Sequence, residues 1–177
     1  FLSYVTCIDY AIIDRDGRVV GGSVSPRIEV SGKIDPKEKV VVDFSRIKKE
    51  IKSLIDDKET GFDHKLWILP GYSNMFERES PPVNILQIVT PIAVLEMPKN
   101  AVRKFETLAS EDLLQTYEEE ISTYLERCLN ELHPGVEIQV TVELDETPMA
   151  PIALGWTFRY THGLKDSTSW GCQNIAH

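Results

Sequence analysis

A chain of 177 residues, 42% of them hydrophobic and 27% charged, can build one domain with a proper core and is too short for two typical ones. This composition excludes disorder, and no run approaches the roughly 18 apolar residues of a membrane span. A net charge of −9 excludes a broad electrostatic hold on nucleic acid. The expectation is a single domain over residues 1–177, soluble and cytoplasmic, without a signal peptide. Its partner would be a small molecule, and a polyanionic one would need a locally basic pocket. Cys7, Cys128 and Cys172 are odd in number and follow no disulfide spacing, which fits a reducing compartment.

Residues 1–13 read as a strand, with Tyr4, Thr6, Ile8 and Tyr10 alternating with Val5 and Cys7. A turn at Asp14-Arg-Asp-Gly17 follows, then an extended run that Gly21-Gly22 interrupts, and a second long strand over Arg27–Ser31. Asp43 is placed to cap a helix of about four turns ending near Asp57, because its carboxylate can accept from the free N–H groups of the first turn. Phe44, Ile47, Ile51, Leu54 and Ile55 form the apolar stripe of that helix. Phe62-Asp63-His64 follows as the chain leaves it.

Residues 70–82, rich in Pro, Gly, Ser and Asn, read as a loop, and 83–96 as a short hairpin or two strands. Ser110 is the expected N-cap of a second helix, whose stripe runs from Leu113 through Tyr117, Ile121, Leu125 and Cys128 to Leu132. Its Glu118, Glu119, Glu120 and Glu126 read as a solvated acidic face, and His133 as a helix-end cap. Cys7 and Cys128 read as buried, inert thiols. Ile138, Val140, Val142 and Leu144 alternate with polar residues, the pattern of a strand with one wet face ending at Glu146. Residues 152–162 read as a further bent strand or strand pair. Strands, helix, loop, helix, strands, with no βαβ alternation, predict an α+β fold: an antiparallel sheet with two helices on one face.

The chemistry concentrates in the last twenty residues. His162 and His177 could share a zinc ion. Cys172, among polar neighbours, would have its thiolate favoured beside such a cation. Asp63-His64 sets a carboxylate beside an imidazole, which titrates near neutral pH. A buried Glu146 could accept two parallel N–H bonds from a guanine-like ring edge.

Together, Phe158-x3-His162, Cys172-x4-His177, the run Ile28 to Lys48 through Asp43-Phe44, Phe62-Asp63-His64-Lys-Leu and Val140-Thr-Val-Glu-Leu-Asp-Glu146-Thr147 resemble the 6-pyruvoyltetrahydropterin synthase and 6-carboxytetrahydropterin synthase family. Residues 70–100 match least. The resemblance implies a tunnelling fold, an oligomeric barrel (trimer or hexamer) with sites at subunit interfaces, and a zinc-dependent lyase acting on 7,8-dihydroneopterin triphosphate. It assigns His162 and His177 as zinc ligands, Cys172 as base, Asp63 and His64 as its partner dyad, and Glu146 with Thr147 as pterin anchors. The favoured product is the 6-carboxytetrahydropterin of deazaguanine (queuosine-type) synthesis. The 6-pyruvoyl product and a non-catalytic pterin- or purine-binding protein of the same fold are the alternatives. The family carries its Phe-x3-His strand and Cys-to-His loop at the start of the chain. Here they come last, and the third histidine would fall two residues past His177, an order that circular permutation would produce.

Overall fold

Residues 2–3, 5–34, 41–80 and 84–146 are described by the computed structural model. The longest strand, β3 (Val19–Gly32), is the spine of the main sheet. Along one edge it pairs antiparallel with β1 (Leu2–Ser3) and β2 (Ile8–Ile13), and along the other with β9 (Ile138–Glu146). The sheet continues from β2 to β4 (Lys65–Ile68) and on to β8 (Val102–Lys104), both joined in parallel. The expected antiparallel sheet is therefore mixed, because the helix between β3 and β4 carries the chain back to the end of the sheet from which β2 starts.

One face of this sheet is covered by α1 (Phe44–Ile55) and α2 (Leu113–Leu132), as the sequence predicted. Ile47, Ile51 and Ile55 of α1 and Tyr117, Ile121, Leu125 and Leu129 of α2 meet Ile8, Val24, Ile28, Trp67, Val140, Val142 and Leu144 in one buried core. Asp43 caps α1, accepting from the Arg46 N–H at 2.7 Å. The cap of α2 is Asp112 rather than Ser110; it accepts from Leu114 and Gln115, while the Ser110 hydroxyl donates to the Asp112 carbonyl at 2.5 Å. His133 ends α2 as expected, with its Nε2 2.7 Å from Glu50.

The hairpin expected over 83–96 is present as two antiparallel strands, whereas the expected loop 70–82 contains a further strand. Here β5 (Phe76–Ser80), β6 (Ile85–Val89) and β7 (Val94–Pro98) form an antiparallel meander, followed by a 3-10 turn at Lys99–Ala101. Leu86 and Ile88 of this second sheet pack on Ala11, Ile13, Leu66, Ile68 and Val102, covering the other face of the main sheet. With both of its faces covered, β4 has no alternation: all four of its residues are buried. The Phe-Glu-Arg-Glu-Ser composition of β5 hid it, since charged edge strands lack a period-two apolar signal.

Three other expectations are corrected. Gly21-Gly22 does not interrupt β3; Gly22 lies opposite Tyr10, whose ring passes so close that an added Cβ would stand 2.7 Å from it. The strand expected over residues 1–13 is broken instead between β1, whose Ser3 lies opposite Arg27, and β2, whose Ile8 lies opposite Val24. Cys7 lies in this break, and its thiol, expected to be buried, is exposed.

The acidic face of α2 is not merely solvated either. Glu118, Ser122, Glu126 and Asn130, each four residues apart, accept from the backbone N–H groups of Leu144, Val142, Val140 and Ile138 at 2.8–3.0 Å. A helix advances about 6 Å in four residues and a strand about 6.6–6.8 Å in two. That near-match lets one helix stripe satisfy the free edge of β9.

Candidate active site

The loop after α1 is held by its own backbone before any function is asked of it. Asp57 accepts from the N–H groups of Glu59 and Thr60 and from the Thr60 hydroxyl, and these bonds, the Thr60 amide foremost, hold its pKa below the usual carboxylate value. The N–H groups of Phe62 and Asp63 both bond the carbonyl of Ile55, closing the end of the helix. A side chain at Gly61 would collide with that carbonyl, and with Asp57 backbone atoms 2.6–2.7 Å away.

Phe62 then enters a ring cluster with Trp67, Phe105 and Tyr124, and the Trp67 indole N–H donates to the Phe62 carbonyl at 2.9 Å. Arg103 lies over Phe62 and Tyr124, 4.4 and 4.9 Å from the ring centres, and donates to the Thr60 carbonyl. Its charge is met by Glu120, 5% exposed, whose carboxylate also accepts from the N–H groups of Glu106 and Thr107 and from the Thr107 hydroxyl.

This scaffold delivers Asp63 and His64. His64 has a φ of 58°, a left-handed backbone in which its N–H reaches the Asp9 carbonyl at 2.7 Å. Asp63 Oδ1 accepts from the Asp9 N–H at 2.9 Å and faces His64 Nδ1 at 3.0 Å. An ionised carboxylate can only accept, so Nδ1 carries the hydrogen and Nε2 is left to exchange a proton. The Asp63 hydrogen bond raises the His64 pKa above its ordinary 6.5, against partial burial, and the charges of Asp63, Asp9 and Asp56 add to the rise. Asp9 also takes a hydrogen bond from Ser23, and the Cys7 Sγ stands 3.9 Å from it. Asp56 is bonded by Thr6 and Lys52.

The dyad expected from the sequence is thus assembled, while Asp9, Asp56 and Ser23 were missed. One signal was available for Asp9: a carboxylate in the middle of the otherwise apolar run Cys-Ile-Asp-Tyr-Ala-Ile-Ile. Glu146 ends β9 opposite Val24, and Val24 in turn lies opposite Ile8 on its other edge. Its backbone is therefore level with the strand that holds Asp63, two strands or roughly 10 Å away. Thr147, His162, Cys172 and His177 lie outside the described residues. Among the described residues no three His, Cys, Asp or Glu side chains converge as metal ligands would, so these residues by themselves do not fit a zinc ion.

Two helices over a curled mixed sheet define an α+β fold found among pterin enzymes. Solved structures of 6-pyruvoyltetrahydropterin synthase from Plasmodium vivax share it. One, with a catalytic glutamate replaced by alanine, aligns with a TM-score of 0.53 at 18% identity over 84% of this chain and 91% of that one. Its cysteine-substituted counterpart gives 0.54 at 17% over the same shares, and a further structure of the enzyme 0.52 at 19% over 85% and 91%. No family model and no curated protein matches the sequence. No described helix is long and apolar enough to cross a membrane.

Proposed function

We propose that the protein is a lyase acting on 7,8-dihydroneopterin triphosphate, of the 6-carboxytetrahydropterin type that feeds deazaguanine synthesis. The observation that carries this reading is the Asp63–His64 dyad, built at the end of a helix in a fold shared with a pterin synthase. An imidazole with its pKa raised above 6.5, one nitrogen fixed by a carboxylate, can give and take a proton near neutral pH. Cys172 would remove a proton from the substrate side chain, His64 would serve as its partner, and Glu146 with Thr147 would hold the pterin ring through paired N–H bonds. Zinc would be held by His162 and His177 and, when bound, would lower the cost of removing a proton from a carbon next to a bound oxygen. Sites at the interfaces of a homo-oligomer belong to the same proposal.

Incubation with dihydroneopterin triphosphate and identification of the product side chain by mass spectrometry tests it. A 6-carboxy product supports the proposal. The specific alternative is the 6-pyruvoyl product with release of triphosphate, favoured by the identity of the solved structures. Cys172→Ala should keep the fold and lose turnover; equal turnover removes the thiol from the mechanism. A pterin that binds and returns unchanged makes the protein a binder.

A further inference from the structure

Between its two sheets the fold leaves a cleft of about 450 Å³, within the roughly 300–1,000 Å³ of small-molecule sites. The floor is apolar: Leu86 of β6 and Val102 of β8, both buried, belong to the core that joins the sheets. Two ties between the sheets hold its walls. The Lys99 N–H, before Val102 in the chain, donates to the Asn84 carbonyl at 2.9 Å, and Lys104, after it, is paired with Glu77 of β5.

The rim is cationic. Arg78, Lys99 and Lys104 line it, and Glu77 is the one carboxylate among its described lining residues, in a chain whose net charge is −9. Glu77 is engaged by Lys104, while Arg78 has no ion-pair partner among the described residues. The cavity of about 200 Å³ beside Arg103 and Glu120 makes the contrast: it holds two arginines and two glutamates, and Arg103 and Glu120 satisfy each other. Charges of one sign gathered along a cleft with apolar walls attract a counter-charge more strongly than the same charges spread over a surface. A guanidinium fork and ammonium groups match phosphate oxygens, and the Leu86–Val102 floor favours an organic body over a bare ion.

This cleft is distinct from the dyad. It lies on the face of the main sheet that the meander covers, whereas the rings that support the dyad pack on the helix face. Lys104 stands opposite Ile68, four residues or roughly 13 Å along β4 from His64. We propose that the cleft binds a small phosphorylated organic molecule, its phosphate held by Arg78, Lys99 and Lys104 and its body lying on Leu86 and Val102. Such a site stands whether or not the dyad carries the reaction given above.

Phenyl phosphate, titrated into the intact chain at low salt and followed by NMR at the Leu86 and Val102 amides, should saturate its shifts by about 5 mM, and phenol should give no saturable shift. Arg78→Glu, at an exposed position, should keep the unfolding midpoint and weaken binding about tenfold or more. Arg18→Glu, the same change in net charge at an exposed residue outside the cleft, should leave binding within about twofold. No saturable shift with phenyl phosphate overturns the site, as does equal weakening by both substitutions or by neither. Inhibition by phenyl phosphate competitive with dihydroneopterin triphosphate would assign the cleft to that substrate's own phosphates, and binding without competition would assign it to a separate ligand; both keep the site. A chain without turnover fails the proposed function alone, and the NMR titration still decides the cleft.

Discussion

Glu120→Ala strikes the support under the dyad rather than the dyad itself. The substitution removes the carboxylate paired with Arg103, whose side chain is 16% exposed, and strips the acceptor from the N–H groups of Glu106 and Thr107. Breaking a buried ion pair from one side costs about 3–5 kcal/mol, because the charge left behind is uncompensated. For a chain of this size each kcal/mol lowers the midpoint by about 2–4 °C, so the fall should be roughly 6–20 °C. Urea titration and calorimetry measure it. Arg103 also fixes the Thr60 carbonyl and the Phe62 ring, so turnover should drop as the loop loosens. Glu120→Leu combined with Arg103→Met, which removes both charges and keeps apolar bulk, should be less destabilised than Glu120→Ala alone. If the single substitution costs under about 1 kcal/mol, or the double costs the sum of both singles, the reasoning from buried charge fails.

The other predictions concern the dyad, its loop and the sheet edge. His64 should titrate above 6.5 by NMR, and Asp63→Asn should bring it down. Because the folded pKa is raised, the stabilisation by this pair is fully present below pH 6.5 and is lost as pH rises through the folded value; a midpoint that gains stability over that range in the parent but not in Asp63→Asn would contradict it. Gly61→Ala should disturb the loop and lower turnover through the clash with Ile55 and Asp57, and a crystal structure of the variant with His64 unmoved would refute that account. Glu126→Leu leaves the Val140 N–H without its acceptor and should cost about 1–3 kcal/mol in urea unfolding; hydrogen exchange at Val140 should quicken, and unchanged exchange would mean the helix does not close that edge.

Much of this molecule was legible in the order of its residues. The helix stripes, the Asp43 cap, the alternation of β9 and the adjacency of Asp63 and His64 are local, and local periodicity reports which face is buried. What sequence could not give was partnership at a distance. Glu118, Glu120 and Glu126 look alike in a helix, yet one neutralises Arg103 and two bond the backbone of β9. Cys7 follows the strand pattern yet falls between the paired residues of β1 and β2, where it is exposed. Asp9 becomes part of the site because β2 runs alongside β4, a pairing between residues more than fifty positions apart. Tertiary structure decided these cases because burial and hydrogen-bond partners belong to the packed arrangement, whereas the sequence by itself determined only which stretches could be packed.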